Sequence, residues 1–414
     1  MYMRLVCAWP LGVLLTAAAL AGQTGIANLA RMANADLHQR YLLQINYEVW
    51  DQDGVREFAT SRSRIVRFLP QDAIVLMRDE AASNGNSAEP SVLARIPFHH
   101  VSSSELALDL NAGFDRISTD EDRTGEDYYE RSDQQDAGAI LLRDRKVISM
   151  ARHGDTLVFD QSAGKNDGSR VVAHYYLRPY RPDPGFRAFE MKSLDHFGFY
   201  ETYPVLRSNR SVFYAMKFDA SHPIVFALSS AIPERHRGAV RDGVLYWNRA
   251  LGQPLITVVD APSDVRAPSA GYNVVEWVPA GPRGSTTHIQ GDPLTGQILH
   301  AHVFVRRELT MDGQPGEQND QLRFFVAHEI GHALGLRHNF AQGSTTTTVM
   351  DYFKRPQEIA IGRDIRAGTP ALGYDRDVMR HVYLGAPLNV ASLPPFCTDA
   401  QPGCVPSAAR EDRR

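Results

Sequence analysis

The chain has 414 residues, 43% of them apolar and 22% charged, with a formal net charge of −4. That length suits roughly two to three domains with a sizeable core. The near-neutral balance, with no basic run, excludes the electrostatic footprint of a nucleic-acid binder, so no nucleic acid is expected as a partner.

Residues 1–21 read as a secretory signal. Arg4 is the only charge before residue 31, and an apolar run follows from Leu11 to Leu20. Ala19-Leu20-Ala21 offers small residues where a signal peptidase cuts. The run is too short for a permanent anchor, so the mature chain is expected to carry none and to be secreted or periplasmic. Cys7 would leave with the signal. Cys397 and Cys404 remain near the C-terminus, either as a small disulfide loop or as two free thiols.

From Tyr41 the pattern becomes strand-like: Tyr41–Val49, Arg64–Leu69, Ala73–Met77, Ala139–Leu142, Lys146–Ser149, Thr156–Phe159 and Val171–Leu177. Ala81–Pro90 reads as a polar loop. Asp115–Asp136 is acidic but lacks the ordered spacing of a calcium loop, which favours a solvated surface. Residues 22–190 are therefore expected to form a β-rich accessory domain or pro-domain. Pro179–Pro184 punctuates its end, and a linker follows over 191–218.

The next segment alternates strands and helices. Pro223–Leu228, Leu255–Val259, Val274–Val278 and Ile298–Val305 are predicted strands; Pro233–Leu251, Asn319–Leu336 and Asp375–Leu384 are predicted helices. This places a second domain over 219–390 and a tail over 391–414.

Residues 328–338 read His-Glu-Ile-Gly-His-Ala-Leu-Gly-Leu-Arg-His. On a helix, His328 and His332 share one face, one turn apart, and can present imidazoles to one ion. Glu329 then lies where its carboxylate reaches a water on that ion and serves as general base. His338 would sit about 15 Å along a straight helix from His328, so the chain must turn back. Gly335 is placed for that turn, since glycine enters the left-handed region cheaply. Leu322, Val326, Ile330 and Ala333 give the helix an apolar opposite face. Three neutral imidazoles leave one tetrahedral position open, the pattern of a catalytic zinc site. Chance matches to five fixed positions in such a chain are on the order of one in ten thousand.

This pattern resembles that of the metzincin clan of zinc endopeptidases. Thr348-Val349-Met350-Asp351-Tyr352 follows, and the resemblance implies that Met350 lies in a turn beneath the zinc. Tyr352 matches the tyrosine that astacins and serralysins use as a zinc ligand or oxyanion donor. Tyr246–Ala250, the turn Asp292–Gly296 and Val349–Tyr352 look like secreted, bacterial matrixin-like proteases, a branch that includes the enzymatic subunit of an AB-type toxin. The likeness covers roughly residues 219–390. Asn339, after the third histidine, matches none of the best-known families. No cysteine stands between residues 22 and 396, so the thiol latency switch of matrixins is absent.

Ile298–Val305 is the candidate edge strand for a bound peptide. Its His300 and His302 share a face and either hold a second, structural zinc, as histidines do in matrixins, or are ordinary strand residues. The expected fold is α+β: a twisted, mostly parallel sheet, an active-site helix and a C-terminal helical subdomain, preceded by the β-rich domain. The expected activity is secreted, zinc-dependent hydrolysis of protein or peptide substrates with one catalytic zinc. His328, His332 and His338 are its ligands, Glu329 and Tyr352 its catalytic groups, and Met350 and Gly335 its supports. The rival readings are a zinc aminopeptidase or thermolysin-like enzyme with a distant glutamate ligand, a vestigial zinc-holding binder, and a toxin-type module cutting one partner.

Overall fold

A computed structural model describes residues 29–410 except 53, 55, 80–91, 120–137, 192–197, 203–204, 209, 270, 279–284, 307–312, 342–345, 390–392, 394–395 and 399–402. The expected signal at 1–21 with Cys7, the Ala81–Pro90 loop and most of the acidic stretch lie outside the described residues. No described helix is long and apolar enough to cross a membrane.

The first half contains β1 (Leu29–Ala33), β2 (Arg40–Trp50), β3 (Arg56–Gln71), β4 (Ile74–Asp79), β5 (Val92–Ser102), β6 (Glu105–Asp109), α1 (Leu110–Gly113), β7 (Arg116–Thr119), β8 (Gly138–Leu141), β9 (Arg143–His153), β10 (Thr156–Gly164) and β11 (Arg170–Pro179). Nine of them form one antiparallel sheet in the order β1-β6-β5-β4-β3-β2-β11-β10-β9. One face carries the apolar core, where Phe159 and Tyr175 stack with centroids 4.4 Å apart. On the other face, β2 turns Gln44, Asn46 and Glu48 inward, all buried. These polar groups meet the second half of the molecule, as Gln290 Nε2 donates to Asn46 Oδ1 at 2.9 Å. Phe58 stacks on Phe304 beside them at 4.0 Å. Strands covered on both faces lose the clean apolar–polar alternation that marks a half-exposed sheet.

The second half contains β12 (Val205–Arg207), β13 (Arg210–Val212), β14 (Ile224–Leu228), α2 (Glu234–Leu251), β15 (Ile256–Asp260), β16 (Asn273–Val278), β17 (Thr286–Gly291), β18 (Ile298–Arg306), α3 (Pro315–Ala333), α4 (Arg355–Ala367), α5 (Gly373–Leu384) and α6 (Ser407–Arg410). Its sheet has the order β15-β14-β16-β18-β17, parallel except for the β17–β18 pair. Ile298–Val305, expected at the edge, is therefore interior; β17 is the edge strand beside it. Its sequence Thr286-Thr287-His288-Ile289-Gln290-Gly291 hides this, because one face meets polar groups of the first half.

Helix α2 follows Pro233 and ends at Gly252, whose φ is +76°. Trp247 is fully buried, and its Nε1 donates to the Ala327 carbonyl at 2.8 Å, tying α2 to α3. The apolar side of α3 (Leu322, Val326, Ile330, Ala333) is wholly buried. Each of its larger side chains contributes about 1.5–3 kcal/mol on burial. Helix α4 has no counterpart among the predicted helices. Pro356 lies in its first turn, where a missing N–H costs nothing. Gly362 lies mid-helix because a Cβ there would stand 1.7 Å from the Asp320 carbonyl oxygen of α3.

Tyr200 and Met216, in the stretch 191–218 expected as a linker, lie against the end of α3. Tyr200 N donates to the Gly335 carbonyl at 2.7 Å, and Met216 N to the Tyr200 carbonyl at 2.7 Å. Cys397 and Cys404 are joined by a disulfide.

Candidate metal centre

Helix α3 starts at Pro315 and ends at Ala333, one residue after His332. Its end is built by two reverse hydrogen bonds. Leu336 N donates to the Gly331 carbonyl at 2.9 Å, and Gly335 N to the His332 carbonyl at 2.8 Å. This is a Schellman ending, which needs a left-handed residue at the position of Gly335. Its φ is +101°, and a Cβ there would stand 2.0 Å from the Met216 carbonyl oxygen. The chain reverses, and His338 returns to face the helix.

The three imidazoles converge. Nε2 of His328 lies 3.2 Å from Nε2 of His338 and 3.1 Å from Nε2 of His332, and the last pair is also 3.1 Å apart. All three side chains are buried. Nδ1 of His328 donates to the Val349 carbonyl at 2.8 Å, and Nδ1 of His332 to the Leu336 carbonyl at 2.7 Å. Those bonds fix the proton on Nδ1 and turn an Nε2 lone pair inward. Burial holds His332 well below its ordinary range, with the His338 and His328 imidazoles adding to it. Lone pairs aimed at one another in a buried space repel unless a cation lies between them, so this donor set fits zinc.

Met350 packs against α3 at Gly331, between His328 and His332 in the chain. A Cβ on Gly331 would stand 2.2 Å from its sulfur and 2.7 Å from Trp247, so glycine lets the turn approach the helix. The turn itself hangs on Asp375 of α5, a fully buried carboxylate. Asp375 accepts from Tyr246 Oη at 2.7 Å, from Val349 N at 3.0 Å and from Thr348 Oγ1. Burial pushes its carboxyl up to about 6 against these bonds. The ring of Tyr352 packs 5.5 Å from His328 and 4.7 Å from His338.

Glu329 is buried beside its histidine neighbour, and Thr287 Oγ1 on β17 lies 2.7 Å from its Oε2. Tyr200 Oη is 3.2 Å from His332 Nδ1. Asn339 N donates to the Met350 carbonyl at 2.7 Å, so the residue after the third histidine closes the loop onto the methionine turn. His328, Glu329, His332, Gly335, His338, Met350 and Tyr352 thus lie close together. Thr287, Tyr200 and Asp375 were missed. Only Asp375 left a sequence signal, an acid in the apolar row Tyr374, Val378, Met379 and Val382.

His300 and His302 do not form a second three-ligand group among the described residues. His302 Nε2 instead meets the backbone of Ser269 at 3.0 Å. His302 pairs across the ladder with His288 of β17. The described Asp115 of the acidic stretch pairs with Arg116 at 2.9 Å.

No curated protein and no solved structure matches the chain. A family model described as Met-zincin matches residues 314–359, which run from the start of α3 through Met350 into α4. With the three-histidine group inside the matched stretch, the match supports a metzincin-type family for this chain.

Proposed function

We propose that the chain is a secreted or periplasmic zinc endopeptidase of the matrixin-like branch, hydrolysing protein or peptide substrates. The observation that carries this reading is the convergence of three Nε2 atoms within 3.1–3.2 Å, with Glu329 on the same helix turn. His328, His332 and His338 would hold the ion. Bound there, zinc supplies a Lewis acid and lowers the pKa of water toward about 7.

The chain's own groups do the rest. Glu329 accepts a proton from the attacking water and returns it to the leaving amine. The Thr287 hydroxyl holds the Glu329 carboxylate in place. Tyr352 donates its phenolic hydrogen to the negative charge that develops on the carbonyl oxygen. Among the described residues no strand pairs with the outer edge of β17. An extended peptide added there gains main-chain hydrogen bonds next to Glu329.

The test is cleavage of an unfolded protein in water enriched in oxygen-18. Hydrolysis puts one heavy oxygen into each new carboxyl terminus, and a chelator abolishes the products. Absence of cleavage by zinc-loaded protein, before and after limited removal of the first half, would overturn the reading.

A further inference from the structure

The disulfide-closed tail meets the chain next to one ligand, His338. Phe340 N donates to the Cys397 carbonyl at 2.6 Å, and Cys397 N donates to Asn339 Oδ1 at 3.2 Å. Phe396 covers Gly198, where a Cβ would stand 2.1 Å from its ring, and the Gly198 carbonyl accepts from Arg337 N at 3.1 Å. Residues 337, 339 and 340, which flank His338, are thus all held by the tail, directly or through one intermediary. Beyond the disulfide, Ala408 N donates to the Tyr352 carbonyl at 3.0 Å. Ser407 bonds Asp351 twice, from N at 3.1 Å and from Oγ at 2.6 Å.

The loop that bears His338 leaves α3 at Gly335 and has no regular secondary structure of its own through Phe340. A ligand on such a loop keeps its geometry only if its neighbours are fixed from outside. We infer that the described residues 396–398 and 403–409, joined by Cys397–Cys404, form a positioning element of the metal centre that holds His338 and Tyr352 and slows the loss of zinc. The inference rests on reading the histidine triad as a zinc site. Opening the disulfide frees the tail's two anchor points from each other, and the chain entropy that the short loop had removed returns.

The experiment uses the full zinc-loaded protein and a colorimetric chelator, comparing zinc release before and after reduction with a water-soluble phosphine. The phosphine attacks the Sγ–Sγ bond. Water then supplies the oxygen of the phosphine oxide and the two protons for the thiols. Release is expected to accelerate on the order of 10-fold. A Cys397→Ser/Cys404→Ser double variant should match the reduced protein without added reductant. The Ser407→Ala variant, which keeps the disulfide, should also release zinc faster. Equal release rates in the oxidised, reduced and serine forms overturn the inference. If reduction unfolds the chain, Ser407→Ala decides, and a parental rate there overturns it. A parent that never holds one zinc per chain sinks the reading of the triad instead.

Discussion

Thr287 Oγ1 stands 2.7 Å from Oε2 of Glu329 and 2.9 Å from the Glu329 main-chain carbonyl, so one hydroxyl on the edge strand touches both ends of the base. A hydrogen bond to a charged group is worth about 1.5–3 kcal/mol. Thr287→Val keeps the shape and removes the bond. It is expected to lower kcat about ten-fold or more, with zinc content and KM near parental, and Thr287→Ser should restore most of the loss. An unchanged kcat in the valine variant would remove Thr287 from the machinery.

Gly335 carries the reversal that brings His338 back. Alanine there meets a φ of +101° and the Met216 carbonyl oxygen at 2.0 Å. Backbone strain of this kind costs about 1–3 kcal/mol, before the overlap is relieved. Gly335→Ala should lower the denaturant midpoint and weaken zinc retention together. Loss of stability with zinc retention intact would mean that the turn does not govern His338.

The contact between the two halves predicts a pH dependence. Burial pulls His288 down to about 3, with His302 adding to it, and pulls His302 down to about 4. Their folded-state values lie below the unfolded value, so the unfolded chain binds more protons in acid. The stability they contribute is present above about pH 6.5 and is lost as pH falls through 4 and 3. His174 has the opposite sign. Burial would lower it, but hydrogen bonds to Asp160 and Glu48 outweigh that and raise it to about 9. Its contribution is present below about pH 6.5 and is lost as pH rises through 9. Denaturation of the zinc-free protein should therefore show an optimum near pH 6.5, and His302→Asn should flatten the acid limb alone. A variant with the parental acid slope would contradict this assignment.

The parts of the site that could be read from the sequence obey short-range rules. His328, Glu329 and His332 are fixed relative to one another by helical geometry, and Gly335 by the turn that His338 requires. Helix α2 was legible because Val240, Val244, Trp247 and Leu251 recur at its period. What escaped depends on partners distant in sequence. Thr287 lies in a polar stretch whose burial comes from the first half of the molecule. Helix α4 carries Pro356 and Gly362, residues that weaken a helical pattern, and its glycine is explained only by the Asp320 backbone packed against it. Asn339 Oδ1 accepts from Cys397 N, 58 positions away, a contact that no local pattern announces.

The most direct measurement sets bound zinc against peptide hydrolysis in the parent and in Glu329→Gln, which keeps the size of the side chain and removes the base. Both proteins are expected to hold one zinc per chain, and the variant to lose about 10²–10⁴-fold in kcat. A Glu329→Gln variant that hydrolyses peptide at the parental rate, or a parent that holds zinc at the triad and cleaves nothing before or after limited removal of the first half, would contradict the account.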